Sequence, residues 1–503
     1  MLKFRTIASA ALAAQAISWL AMGTALGADG AITLAFPAEP TSLDACDDSS
    51  NINARVLKGN VVEALTQLNP NGGGVEPMLA TEWQQVDDTT WLFTLRSGVA
   101  FHDGAKLDAQ AVVTSINRTL NPDLACQNLG LFSNKTTAAV DSDMVVRVTT
   151  ETPDPILPAR LAYLDISSPA TPAGEKSNNP IGTGPYQITG HEFGQSITMS
   201  ANPAYWGPAP AIGEATYVWR EEATIRASMI KTGEADVAID IPYHEAEGAA
   251  NAQQYTTNAV FFLRPMLVKE PLSDVRVRQA VAAAIDKQTL TDVLMEHSAV
   301  PTGQLVTNLI NGNIPGYTGE AFDLEKAKSL IADAKADGVA VDTPITLVAR
   351  SDLFAGTDEV AQALQQMLQD AGLTVTVLPV DSVAWSPWAR KPDSLTQPVN
   401  LLMSAHDNIS GDASLSFPNN IGSGGRLSMN TDPEMDAALA AAATMSGEER
   451  TNAYRAAATK AYAEKIVIPI AELQSRLLLS DRVEYQANGF TDVMLHLADI
   501  TLK

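Results

Sequence analysis

Several things are scarce in these 503 residues, and each scarcity removes a class of function. Cysteine occurs twice, at Cys46 and Cys126, too far apart for a CxxC redox or zinc spacing. The six histidines are scattered and form no HExxH pair, so no metal site is expected. No GxSxG elbow or GxxxxGK[ST] loop is present. The glycines of Ile181-Gly182-Thr183-Gly184-Pro185-Tyr186 fail the GxGxxG test, because Gln187 stands at the third position. The loop from Arg350 to Asp358 has no glycine-rich phosphate signature either, so no nucleotide or other cofactor is expected. Positive charge is short, with 33 Lys and Arg against 58 Asp and Glu and a net charge of −25. That excess repels phosphate backbones and anionic lipid heads, which makes nucleic acid and membrane surfaces poor partners.

What is present describes a globular protein too long for one core. Lys3 and Arg5 precede an apolar run from Ile7 to Leu20, and Ala25-Leu26-Gly27 offers small residues for cleavage. Residues 1–27 therefore read as a signal peptide, and Ser9, Gln15 and Ser18 make the run a poor membrane anchor. No cysteine ends the run, so a soluble periplasmic protein, not embedded in the membrane, is expected. Without Lys3 and Arg5 its charge would be 31 − 58 = −27. In that oxidising compartment Cys46 and Cys126 read as a structural disulfide, with two unlinked thiols as the alternative.

Periodicity supplies the elements. Ala31 onward reads as a strand and a polar loop, then a helix through Val56 to Leu65. Trp91, Phe93 and Leu95 alternate as in a strand, and Ile225–Ile241 reads as helix, turn and buried strand. Ser273 and Asp274 can cap a helix that buries Val277, Val281, Ala284 and Ile285. Asp286 can cap a second helix carrying Leu290, Val293 and Leu294, and Arg276 and Arg278 call for acidic partners. Farther on, a strand near 344–349, a helix near 359–371 stopped by Gly372 and a strand near 373–378 make a right-handed parallel unit. Helices near 433–443 and 448–463 precede a return strand at 466–470. His102 has no nucleophile or carboxylate set beside it and reads as a turn histidine.

Several stretches carry a resemblance. Leu272–Leu290, LSDVRVRQAVAAAIDKQTL, resembles the "PP(L/F)xDxRVRQAxxxAID" segment of the family 5 extracellular solute-binding proteins, the dipeptide, oligopeptide and nickel receptors of ABC importers. PTSLDA, GTGPY, NPAYWG and the run Pro77–Arg118 resemble the same family, the last departing at Ala111, where the family has an acid. The resemblance implies an α/β, two-lobed periplasmic binding protein fold of type II. It implies lobe I at 28–264 with a subdomain inserted at about 77–183, lobe II at 265–469, and a return to lobe I at 470–503. It also implies that the disulfide lies on the lobe I wall of the cleft.

Two functions follow. The favoured one is a monomeric, non-enzymatic receptor that closes two lobes around a peptide-like or other small solute and delivers it to inner-membrane ABC permease subunits. The alternative is a secreted hydrolase with a triad assembled from distant residues. Val399–Leu402 is an apolar strand running into a polar loop, and crevices beyond such strand ends hold ligands. The segment resembles the family's "WxxDxxDP" region, whose acid pairs with a peptide's α-ammonium, without the final proline. Asp407 and Asp412 are therefore candidate ligand acids, flanked by His406 and Asn408. Trp385 and Trp388, read as a loop, are candidate apolar walls. Asp47, Asp48 and Asn51, in the loop after the first strand, are candidates by the resemblance alone.

Overall fold

The computed structural model describes residues 30–503 except 48–50, 71, 73, 133–134, 409–410 and 493, together with the backbone but not the side chain of Asn51. The expected signal peptide lies outside the described residues. An 11-stranded sheet runs through the molecule, and two long strands, Ala252–Pro265 and Ile468–Leu479, pair antiparallel at its centre. On one side lie the strands of the first lobe, with Ala31–Phe36 parallel to Glu214–Trp219 and to Val237–Ala238. On the other lie Asn400–Asp407, Ile345–Arg350 and Val375–Val380, mutually parallel. Both half-sheets thus belong to one α/β fold of two lobes, and the central pair crosses between them.

Each lobe has its own core. Lobe I packs Ile32, Leu34 and Phe36 on Tyr217, Val237, Leu477 and the C-terminal Leu495 and Leu497. Lobe II packs Val277, Val281 and Ile285 on Leu347, Leu364 and Met403. A four-stranded sheet spanning Ala80–Thr149, with helix Ala109–Thr119 against it, forms a third core around Phe93, Val112 and Val146. Each side chain this deeply buried contributes roughly 1.5–3 kcal/mol.

The helix Val275–Ala284 starts where Asp274 accepts the Arg276 N–H, and its apolar stripe is buried. Arg276 has its acids, Asp274 and Asp337. Arg278 does not: its guanidinium donates to the Leu272, Ser273 and Glu464 carbonyls, so backbone dipoles replace the expected carboxylate. The helix expected after Asp286 is a single turn, Lys287–Thr289, running into a wider turn at Leu290–Leu294 that leaves Val293 65% exposed. The helix expected through Leu65 stops at Leu57, and Glu63–Ala64 and Thr66–Leu68 are short strands.

Glu63 explains two of the motifs. Its buried carboxylate accepts from Thr183 Oγ1 (2.6 Å), Tyr205 OH (2.9 Å) and Trp206 Nε1 (2.9 Å), so GTGPY and NPAYWG converge on one acid. Burial outweighs these donors and pushes Glu63 up to about 7. His102 sits in its turn, bonded to the Gly184 carbonyl at 3.0 Å.

Candidate functional site

The crossing strands are not one continuous ladder. They pair from Ala252↔Leu478 to Thr256↔Gln474 in lobe I and from Val260↔Glu472 to Leu263↔Ile468 in lobe II. Between these blocks Thr257, Asn258 and Ala259 face Leu473 alone, a bulge at the lobe boundary. Thr257 Oγ1 donates to the Leu473 carbonyl (2.9 Å), and Asn258 Nδ2 donates to the Gly489 carbonyl (3.1 Å). Asn258 Oδ1 accepts from Thr307 Oγ1 of lobe II (3.2 Å). The bulge is therefore hydrogen-bonded to both lobes.

Beside it, a cavity of about 590 Å³ opens between the lobes, a size that suits a small organic molecule. Asp240, Pro242 and His244 wall it from lobe I, and Glu296, Phe354 and Glu359 from lobe II. Leu473–Arg476 of the second crossing strand form its floor. Behind Asp240, helix Asn51–Leu57 presents Arg55, whose guanidinium reaches Asp240 Oδ2 (2.8 Å) and Asp492 Oδ1 (2.9 Å). Tyr255 OH donates to Asp492 (2.7 Å). Burial works against the Arg55 charge, but the two carboxylates more than offset it and raise its pKa.

Backbone strain gathers here. Among the described residues five non-glycines have positive φ; two of them, Asp240 (54°) and Glu296 (45°), line this cavity, and a third, His297 (56°), follows Glu296. Such conformations cost about 1–3 kcal/mol each and cluster at ligand clamps. Contacts also bridge the lobes. Arg476 lies 5.2 Å over the Tyr243 ring and donates to Ser298 Oγ (2.8 Å) and the His297 carbonyl. His244 Nδ1 stands 3.0 Å from Glu296 Oε2. Three carboxylates, Asp240, Glu296 and Glu359, thus face a cavity with one permanent cation, Arg476.

The residues expected from sequence are distributed as follows. Asp407 ends its strand opposite Ala259 and leaves the sheet on the same face as Ala405 and Phe261. Phe354, a cavity wall, packs edge-on against Phe261 at 5.0 Å, so Asp407 lies on the cavity side of the sheet. His406 points the other way, to Ser416 Oγ (2.7 Å), and burial pushes it down to about 4, keeping it neutral. Asn408 Nδ2 donates to the Asp412 carbonyl (3.0 Å).

Asp412 is taken up by the fold. It caps helix Ala413–Ile421 through the Ser414 N–H (2.8 Å) and receives Arg450 Nε (2.9 Å) and Nη2 (2.8 Å) in a fork. Burial opposes its charge, yet the Arg450 bonds hold its carboxyl below the ordinary range.

Trp385 and Trp388 belong to a helix, Ser382–Ala389, rather than a loop. Trp385 is buried on Val348 and Leu402 and donates to the Met403 carbonyl (3.1 Å). Leu402 lies on the opposite face from Ala405 and Asp407, so the tryptophans and Asp407 do not meet in one pocket.

On lobe I, Asp47 accepts from the Gln127 N–H (3.0 Å), Lys176 Nζ (2.5 Å) and Ser42 Oγ (2.9 Å). Asp48 and the Asn51 side chain lie outside the described residues. Cys46 and Cys126 form the expected disulfide.

Sequence reading missed Asp240, Glu296, Glu359 and Arg476. The strand-end rule that singled out Asp407 applies equally to Ile345–Arg350 and would have reached Phe354 and Glu359. Nothing in the sequence marks the left-handed backbone of Asp240 or Glu296. No group of three or more His, Cys, Asp or Glu suited to a metal occurs among the described residues.

Comparison with known proteins defines the class. Residues 74–416 match the bacterial extracellular solute-binding proteins, family 5 Middle, and the chain belongs to that family. The glutathione-binding protein GsiB of Salmonella paratyphi A is 27% identical over 355 residues, covering 68% of each chain. A probable di/tripeptide-binding protein of Pseudomonas aeruginosa is 26% identical over 515 residues, covering 91% of this chain and 95% of its own. Among solved structures, HbpA2 from Haemophilus parasuis superposes with a TM-score of 0.82 at 19% identity, covering 94% of this chain and 100% of its own. A dipeptide-binding protein from Pseudoalteromonas sp. SM9913 in complex with Met-Leu gives 0.74 at 19%, with the same coverage.

This protein is therefore a two-lobed periplasmic solute-binding protein that delivers its solute to the permease of an ABC importer. The family is made up of transport proteins, and the hydrolase alternative finds no support in it. No helix among the described residues is long and apolar enough to cross a membrane.

Proposed function

We propose that the solute is peptide-like and carries an amine, that it occupies the interlobe cavity, and that the chain binds it without turnover. The observation that carries this reading is the cavity itself, walled by both lobes and lined by carboxylates from each. Asp407, on the same side of the sheet, is the acid assigned to the ammonium group. The solute names of the relatives, glutathione and di- and tripeptides, support a peptide-like cargo. The hinge in this reading is the bulge at Thr257–Ala259 facing Leu473, close to the 264/265 boundary expected from sequence.

The test begins with mass spectrometry of the solute that co-purifies with the protein from the periplasm. Calorimetry with that solute should then show Asp407→Asn binding weaker by about 2–5 kcal/mol, as for other buried charge pairs broken on one side. Wild-type affinity in that variant would remove Asp407 from the site, and release of a cleaved product would overturn the non-enzymatic reading.

A further inference from the structure

We propose that lobe II holds a monatomic anion, chloride in the periplasm, in a small pocket between Lys287 and Lys465. The proposal rests on side chains remote from the interlobe cavity and is independent of which solute the protein carries.

The pocket lies where the single turn Lys287–Thr289 meets the start of the second crossing strand, and Lys287, Gly303, Tyr317, Glu320, Lys465 and Ile468 line it. Its volume is about 10 Å³, which is room for one water-sized occupant and nothing larger. Two stretches of main chain pinch it. A Cβ on Gly303 would stand 2.3 Å from Gly319 Cα, and one on Gly319 would stand 3.3 Å from Lys287 Nζ, so only glycine lets the chain cross itself beside the amine. Gly303 is buried, and its N–H donates no hydrogen bond among the described residues. Buried amides are ordinarily paired.

The charges that face this pocket do not balance. Lys287 and Lys465 are only 9% and 7% exposed. Glu320 is the one carboxylate in the lining, and its two oxygens go to Lys326 and to Lys465 Nζ (3.2 Å). Lys287 enters no ion pair among the described residues; its Nζ donates to the Thr302 carbonyl (2.8 Å), which accepts a hydrogen bond but cannot neutralise a charge. Other acids near it in the chain or at Thr302 are committed elsewhere: Asp286 to the Thr289 N–H and hydroxyl, Asp323 to the Lys326 N–H, and Glu472 to Thr302 Oγ1. Glu464 lies outside the lining, and burial keeps the Tyr317 and Tyr462 hydroxyls neutral.

Burial, aided by the charge of Lys465, pushes Lys287 down to about 8 against the pull of Glu320, so at neutral pH the amine still carries its proton. A buried charge without a counter-charge is costly, and a water molecule does not supply one. A monatomic anion matches both the size and the sign of the space, whereas sulfate, phosphate and carboxylates are too large for it. Residues 302–320 also carry Thr307, which bonds Asn258 of the bulge. The anion thus fastens that loop to the foot of the second crossing strand.

Two measurements on the periplasmic protein test this. Crystals soaked in sodium bromide should show an anomalous peak beside Lys287 Nζ, and a water there with no anomalous signal overturns the proposal. In solution, sodium chloride at about 100 mM should raise the melting temperature by about 3–6 °C over sodium gluconate at equal ionic strength, the shift expected at roughly ten times the half-saturating concentration. Lys287→Met should abolish that difference. Equal melting temperatures in the two salts, or a difference that persists in Lys287→Met, overturns the proposal. A bromide peak without a chloride response in solution is binding at crystal concentration only and overturns it as well. Should Lys287→Met fail to fold, the two wild-type measurements decide.

Discussion

Asp412 and Asp407 stand five positions apart on one strand-to-helix connection; the fold takes up Asp412, whereas Asp407 is the acid proposed for the solute. Asp412 and Arg450 have side chains 5% and 4% exposed and share a two-pronged ion pair. The third guanidinium nitrogen, Nη1, donates to the Ala442 (2.9 Å) and Ala443 (2.8 Å) carbonyls at the end of helix Pro433–Thr444. Removing one partner leaves the other charge buried and uncompensated, which costs about 3–5 kcal/mol. In a lobe of this size each kcal/mol lowers the transition by about 2–4 °C, so Asp412→Asn and Arg450→Met should each melt about 6–20 °C lower at pH 7. Calorimetric unfolding measures this. Arg450→Lys keeps the charge but not the fork and should fall between. The Asp412 carboxyl is held below its unfolded value, so its contribution is complete above about pH 3.9 and is lost as pH falls through the lower folded value. The gap between wild type and Asp412→Asn should therefore close in strong acid. At temperatures far below the transition the variant should bind solute as the wild type does. A stability loss under about 1 kcal/mol, or solute binding weakened as much as in Asp407→Asn, would refute the division of labour.

Three further outcomes are expected. Replacing Cys126 by alanine opens a loop of 80 residues and should cost about 2–5 kcal/mol, read as a denaturation midpoint that no longer responds to reductant. Glu63, raised to about 7 from an ordinary value of 4.5, favours the folded state most fully below the lower figure and loses that contribution as pH rises to the upper one. Stability in Glu63→Gln should therefore slope less between those pH values than in wild type, as denaturant titrations at a series of pH values would show. Arg476→Gln removes bonds from a cation to His297 and Ser298 and should cost about 1.5–3 kcal/mol per bond across the two lobes, seen as a larger radius by small-angle scattering before solute is added.

The large elements were legible because burial wrote them as period. Val277, Val281 and Ile285 could only be one face of a helix, and the strand, helix and strand from 345 to 380 repeat the alternation of a parallel unit. Short elements failed where local pattern competed with tertiary contacts. The run after Val56 looks helical, but the Gly59 and Asn60 N–H groups donate to the Val62 and Leu57 carbonyls in a tight turn there, and Glu63 is drawn off to meet Thr183, Tyr205 and Trp206, more than a hundred positions later. The site was half legible for the same reason. Asp407 follows a strand end and can be found by rule, whereas Asp240, Glu296 and Arg476 become neighbours only because the second crossing strand returns beside the first. Asp412 and Asp407 cannot be told apart in sequence, since Arg450 is contributed by a helix 38 positions away.

The return of the chain to lobe I also sets the order in which it can fold. Arg55 finds Asp492, and Asn60 finds Leu497, across 437 positions. Leu477, Leu479, Leu495 and Leu497 fill the same core as the first strand. The opening segment therefore waits for the C-terminal segment to reach the periplasm before these partners are available. Lobe II, whose contacts are mostly its own, has no such wait. The first residues to be synthesised are thus among the last to be secured, and trimming the C-terminal segment would loosen the protein at Ala31–Phe36 and Arg55 rather than only at the cut.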